Sequence, residues 1–303
     1  MKRIAISLCN QVRSADEGVL FVDLARAREA WLPIGARDAI AGTRGLCVHE
    51  SLLYVVYTVG WHDARAAWYD LRAETPTLLG DVALPEVADP HGICVFNEQL
   101  LVTSTGTDEV LAYALVRGAP APPATSLWRA SDTRSDLHHV NGVCSDGTRV
   151  LVSAFGARTN EFWSSAERGY VRDLLTGETP AADVYHPHSI ELVNGGLALI
   201  ESARQLVRTP DGEELRLEGY IRGLDRTPDG AWLVGTNVGR IVSRSTGVVT
   251  NHANPENPLG QLVGSAGLVR VAPGSAPQRI LDLAAYGNEV FDVCVLPELA
   301  RST

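Results

Sequence analysis

Histidine, arginine and carboxylate side chains recur at one register of this sequence, and that register is where chemistry is expected. Five segments share a pattern: Arg44-Gly-Leu-Cys-Val, His91-Gly-Ile-Cys-Val, Asn141-Gly-Val-Cys-Ser, His188-Ser-Ile-Glu-Leu and Arg222-Gly-Leu-Asp-Arg. Phe291-Asp-Val-Cys-Val fits as a sixth, with Asp in place of Gly. Two positions before each opening residue stand Gly42, Asp89, His139, His186, Tyr220 and Glu289. Together the two positions hold four of the eight histidines, two arginines and two acids. Random placement would rarely concentrate ionisable groups so tightly.

Two chemistries suit these residues. In the first, His91, His139 and His188 bind one divalent metal ion (Zn, Fe, Mn or Ca) and leave a coordination position open for water or substrate. Asp89 and Glu201 would then be ligands or carboxylates that orient an imidazole. In the second, the same histidines act without metal as general acid and base at neutral pH, with Glu201 beside them. Arg44 and Arg222 would clamp a substrate carboxylate or phosphate, unless they form ion pairs with Asp89, Glu201 or Glu289. Asn141 and Tyr220 would supply polar contacts to the substrate. Trp61 and Trp163, with Phe162, stand in loops that could wall the site or cover blade edges. Local metal motifs of the HxxxH or HExxH kind are absent. No P-loop, GxGxxG or EF-hand spacing occurs, so neither nucleotide nor haem is expected, and Gly264 to Gly267 (GSAG) is not a nucleophile elbow.

The elements that must carry these groups read as strands. LLYVVYT (Leu52 to Thr58), QLLVTST (Gln99 to Thr105), RVLVSAF (Arg149 to Phe155), LALIES (Leu197 to Ser202) and AWLVGT (Ala231 to Thr236) are apolar runs ended by turn residues. Two near-copies, RTPDG at Arg208 to Gly212 and at Arg226 to Gly230, carry the Pro and Gly of tight turns. The repeated patterns are spaced by 47, 50, 47, 34 and 69 residues, and a Pro/Asn/Gly-rich insertion at 251–266 accounts for the long one. A repeat near this length is the signature of a β-propeller. The expectation is one all-β domain over residues 1–303, a six-bladed propeller with blades starting near 42, 89, 139, 186, 220 and 289. One C-terminal strand, DVCVL, joins three N-terminal strands, RIAISL, VLFVDL and AWLPI, to close the ring and remove a free edge.

Composition narrows the class. Lys and Arg number 26 against 36 Asp and Glu, a net charge of −10 that argues against gripping nucleic acid or anionic lipid. The partner expected is a small-molecule substrate, and the sequence leaves the oligomeric state open. No run approaches the roughly 18 apolar residues of a membrane helix, and the first residues hold too short an apolar run for a signal core, so a cytoplasmic location is expected. Five cysteines are an odd number with no CxxC pair. Cys47, Cys94, Cys144 and Cys294 each lie three residues after an opening residue, so they mark a packing register rather than disulfides.

The motifs DLHHVNGV (Asp136 to Val143), GYVRDLLTGE (Gly169 to Glu178), HPHS (His186 to Ser189) and YIRGL (Tyr220 to Leu224) resemble, in that order, an uncharacterised bacterial family of propeller-like proteins. That family carries LNG, GxxxDxxxGE, PHSP and RGL motifs; here PHSI stands in place of PHSP. The layout is also similar to gluconolactonase-like and strictosidine-synthase-like six-bladed propellers. It resembles the peptide-amidating lyase propeller too, where the resemblance implies channel histidines that hold zinc. The function expected is a lyase, hydrolase or isomerase acting on a polar anionic metabolite at the channel mouth. The alternative is a non-catalytic scaffold that binds a protein or small ligand on its face.

Overall fold

The computed structural model describes residues 3–9, 17–35, 40–60, 62–161, 163–238, 253–254, 257–258 and 265–298. These form six four-stranded antiparallel sheets around one axis, a six-bladed β-propeller, with a separate short pairing of Ala253–Asn254 and Asn257–Pro258. The innermost strands are Ile40–His49 (blade 1), Pro90–Phe96 (blade 2), Val140–Ser145 (blade 3), Pro187–Val193 (blade 4), Tyr220–Arg226 (blade 5) and Val290–Val295 (blade 6). Each begins within three residues of the start expected from the repeats. Blade 6 is composite. Val290–Val295 pairs with Arg3–Leu8, through Ile4 with Val295 and Ile6 with Val293, and Glu17–Asp23 and Arg28–Pro33 complete the sheet. The long spacing in blade 5 lies between its strands Trp232–Asn237 and Gly267–Val271. Most of that insertion lies outside the described residues. No helix among the described residues is long and apolar enough to cross a membrane.

Packing follows from strand alternation. In Leu52–Val59, the residues Leu53, Val55 and Tyr57 join Phe21 and Leu32 of blade 6, whereas Tyr54 and Val56 join Leu100 and Tyr113 of blade 2. One strand thus feeds the cores on both of its faces, because successive side chains point to opposite sides. The same division gives one apolar cluster at every interface between blades.

Around the axis the inner strands approach too closely for a side chain. A Cβ on Gly92 would lie 2.8 Å from the Asn141 carbonyl oxygen and from Val143 N in the next blade, and one on Gly142 would lie 2.8 Å from the His188 carbonyl. This close approach is why Gly follows the opening residue in four of the six patterns. Hydrogen bonds then tie blade to blade from the ends of the second strands. The hydroxyls of Thr105 and Ser202 donate to the carbonyls of Val140 and Ile221 at 2.6 Å, and the Asn237 amide donates to the Val290 carbonyl at 2.9 Å. Gly92→Ala should therefore cost roughly 1–3 kcal/mol by overpacking, read as a lowered midpoint in denaturant titration.

Three residues after the opening position, the channel wall carries Cys47, Cys94, Cys144, Glu191, Asp225 and Cys294, with Asp292 beside them, around a cavity of about 320 Å³. All five cysteines are free thiols, as the register implied. Burial pushes Cys47 up to about 12 and the Cys94 and Cys294 thiols well above their ordinary value, so these sulfurs stay protonated. The carboxyls shift the same way. Burial, opposed by the amides of Leu46 and Val293 and reinforced by Asp225, raises Asp292 to about 7; burial raises Asp225, and burial with Asp225 and Asp292 nearby raises Glu191. A carboxyl with a raised folded pKa keeps a proton that the unfolded chain has already released. Their contribution is therefore full below the ordinary carboxylate range and is lost as pH climbs through the raised values. Thermal melts should show a lower Tm at about pH 8 than at about pH 5. Glu191→Gln should shrink the corresponding difference in unfolding free energy by on the order of 1 kcal/mol.

Candidate functional site

The chain turns into the inner strands of blades 2, 3 and 4 through Asp89, His139 and His186, whose φ angles are 50°, 51° and 48°. Each immediately precedes its strand. Simple alternation had placed them in the strand, but a left-handed residue turns the chain there instead. Such conformations are costly for residues other than glycine and cluster at functional sites.

Blades 2 and 4 then hold their histidines in one identical way. His91 Nδ1 lies 3.1 Å from the Asp89 carbonyl oxygen and 2.9 Å from Thr105 Oγ1. A carbonyl only accepts, and the Thr105 proton is committed to Val140, so the network assigns the proton to Nδ1 and leaves Nε2 as a bare acceptor. His188 repeats the arrangement with the His186 carbonyl at 3.2 Å and Ser202 Oγ at 2.7 Å, the Ser202 proton going to Ile221. Both imidazoles are held neutral. For His91 burial first, then Arg44, His139 and Arg222, push the pKa well below the ordinary value; for His188 burial and Arg222 lead. They differ in access: His188 Nε2 is sealed from solvent without a hydrogen-bond partner, whereas His91 Nε2 is not sealed.

Blade 3 is built differently. Phe155 occupies the place equivalent to Thr105 and Ser202, and its ring packs on His139 at 4.4 Å, His186 at 4.4 Å and His188 at 4.9 Å. His139 Nδ1 donates instead to Asp136 Oδ1 at 3.0 Å, while Trp163 Nε1 donates to Asp136 Oδ2 at 2.8 Å and its ring lies 4.4 Å from the imidazole. Burial alone would raise the Asp136 carboxyl, but the interactions with His139 and Trp163 outweigh it and leave its pKa below the ordinary value. An ionised carboxylate behind Nδ1 fixes the tautomer with Nε2 bare and would stabilise the imidazolium formed when Nε2 takes a proton. The His91 and His139 rings meet edge to face at 5.3 Å.

Phe291 of blade 6 gathers groups from three other blades. Its ring lies 5.2 Å from His91, and the guanidinium carbons of Arg44 and Arg222 stand 5.3 and 5.4 Å from its centroid. Arg44 pairs with Asp89 at 3.3 Å, the ion pair weighed from the sequence, while Arg222 stands over Tyr220 at 5.3 Å. Burial works against the Arg222 charge, but Tyr220, Cys9 and Glu289 outweigh it, so the group remains a cation. Several polar atoms here have no hydrogen-bond partner among the described residues: Arg44 Nε, Arg222 Nε, Asn141 Nδ2 and His188 Nε2. Buried polar atoms of this kind are expensive unless something satisfies them.

Solved structures share this ring. No known family model and no curated protein matches the sequence. A protein of unknown function from Bacteroides caccae superposes with a TM-score of 0.59 at 9% identity, covering 98% of this chain and 100% of its own. A putative 6-phosphogluconolactonase from Bacteroides uniformis gives 0.54 at 13%, covering 95% of this chain and 84% of its own. The periplasmic gluconolactonase of Pseudomonas aeruginosa gives 0.52 at 13%, covering 97% and 100%. The likeness is one of fold. At these identities it assigns no activity.

Several sequence expectations need correction. Glu201 is fully buried but turned to other partners: its Oε2 accepts from Arg204 at 2.9 Å and Tyr185 N at 2.7 Å, and its Oε1 forms an ion pair with Arg208 at 2.6 Å. The channel-facing residue is its neighbour Ser202, because one step along a strand changes face. Among the described residues no three His, Cys, Asp or Glu side chains gather to hold an ion. Nor do His91 and His188 form an acid–base pair at neutral pH, since both are neutral and neither has a proton to give at Nε2. Trp163 is at the site as a partner of Asp136, whereas Trp61 and Phe162 lie outside the described residues. Sequence reasoning missed Asp136, Thr105 and Ser202. Asp136 stood three residues before His139 in a motif already noted, and the two hydroxyls were the last residues of the marked runs. Asp136→Ala should cost roughly 1.5–3 kcal/mol by unpairing His139 and Trp163 Nε1–H. Asp136→Asn should move the His139 proton from Nδ1 toward Nε2, seen in long-range ¹H–¹⁵N spectra.

Proposed function

We propose that this propeller is a small-molecule enzyme whose site lies at the channel mouth of blades 1 to 6, where His139 transfers a proton on a polar anionic substrate. The observation that carries the reading is the Asp136–His139 pair, its Nε2 bare, next to His91, which packs on the same Phe291 ring as the Arg44 and Arg222 guanidiniums. A histidine backed by a carboxylate can take a proton as the imidazolium and return it, which serves a lyase, a hydrolase or an isomerase. Arg222, a cation with an unpartnered Nε, supplies the positive charge that an anionic group or a developing oxyanion needs, and Arg44, whose charge is paired with Asp89, adds its unpartnered Nε–H as a donor. Asn141 Nδ2 is a further unpartnered donor, and Tyr220 backs both His188 and Arg222.

A metal-assisted version would require His91, His139 and His188 to converge on one ion. Metal analysis of protein purified without chelator addresses it: a stoichiometric divalent ion would replace the acid–base assignment. The scaffold alternative, in which the same face only binds, predicts no turnover of any small molecule.

The test is a screen of lactones, keto acids and hydroxy acids, followed by proton release and by NMR of the products. His139→Asn is the informative variant, because Asn tolerates the left-handed backbone at this position. It should lower kcat by about 10²–10⁴-fold at a temperature where the variant is folded, while the lost Asp136 hydrogen bond and ring packing cost roughly 1–3 kcal/mol of stability. Turnover that persists in His139→Asn would remove the assignment.

A further inference from the structure

We infer that the mouth selects anions that also carry a hydroxyl group, and that His91 is the side chain that reads the hydroxyl. The inference rests on the proposed anion site and adds the class of molecule it takes.

The geometry of His91 leaves it one role. Its Nδ1 faces two acceptors, the Asp89 carbonyl at 3.1 Å and the Thr105 oxygen at 2.9 Å, and the Thr105 proton is held by Val140 at 2.6 Å. The ring is 4% exposed, so it cannot swing to exchange its nitrogens without breaking these contacts and the packing on Phe291 and His139. What it offers the mouth is the Nε2 lone pair. A lone pair binds a donor and repels an anionic oxygen, so the part of a ligand that meets His91 must carry an O–H or N–H.

The charged groups around His91 decide between these two donors. Facing it are Arg44, Arg222 and His139, and its own neighbour Asp89, whose carboxylate already pairs with Arg44 at 3.3 Å. With Arg44 offset by Asp89, the Arg222 guanidinium attracts the anionic end of a ligand and disfavours an ammonium close by. A neutral hydroxyl satisfies Nε2 at no electrostatic cost. The two recognition elements meet on one residue, since Arg44, Arg222 and His91 all pack on the Phe291 ring. His188 has the same anchored ring but a sealed Nε2, which shows that the anchoring belongs to the blade junction and that access makes His91 the reader.

Three dicarboxylates with one skeleton separate the possibilities: succinate has no donor at C2, malate a hydroxyl and aspartate an ammonium. Calorimetric titration of the intact protein should give malate about tenfold tighter binding than succinate or aspartate, the worth of one hydrogen bond. In His91→Leu the malate preference should fall to about one while succinate binding is kept. Equal affinity for malate and succinate in the wild type overturns the hydroxyl reading and leaves the anion site standing. Tighter binding of aspartate overturns it in favour of an ammonium, and no binding of any of the three overturns the anion site itself. A tautomer measurement covers the case in which His91→Leu fails to fold. Long-range ¹H–¹⁵N spectra of the wild type should show His91 neutral with its proton on Nδ1 from about pH 6 to pH 8, and a proton on Nε2 would refute the inference.

Discussion

The close approach of the six inner strands is the constraint on which the rest of this molecule depends. At Gly92 and Gly142 the next blade's backbone lies where a Cβ would stand, so the axis is lined by backbone and by the side chains just before and after each glycine. Polar groups there are withdrawn from water by geometry. That withdrawal keeps His91 and His188 neutral, keeps the inner thiols protonated and raises Asp292, all through the same desolvation of the charged form.

A second consequence is that fold and chemistry share hydrogen bonds. Thr105 and Ser202 exist to join one blade to the next, through the carbonyls of Val140 and Ile221. Because each hydroxyl has a single proton, joining the blades obliges it to accept from an imidazole. Anchored histidines in blades 2 and 4 are thus a by-product of ring closure. Blade 3 shows what happens without the hydroxyl: Phe155 fills the space, and Asp136 from the preceding loop takes over His139. Three histidines that look equivalent in the repeats consequently have three different capacities. One is an open acceptor, one is backed by a carboxylate and one is sealed.

Much of the fold was legible because the repeats carry it. The glycine and cysteine register located every inner strand to within a few residues, and the RIAISL and DVCVL segments announced the composite blade. Legibility stopped where a single step along the chain decides which way a side chain points. Glu201 and Ser202 are adjacent and equally polar, yet one pairs with Arg204 and Arg208 and the other with His188. Asp136 and Trp163 are 27 residues apart and meet only through the loop that follows the second strand of blade 3.

Sequence by itself determined the number of blades, the way the ring closes and the level along the axis at which charged groups collect, because these depend on local strand and turn preferences repeated six times. Tertiary structure decided what those groups can do. Protonation state, tautomer and access depend on which backbone carbonyl, hydroxyl or carboxylate a neighbouring blade brings within 3 Å or so of a ring nitrogen. That distance is set by how the blades pack, and no spacing within one blade encodes it.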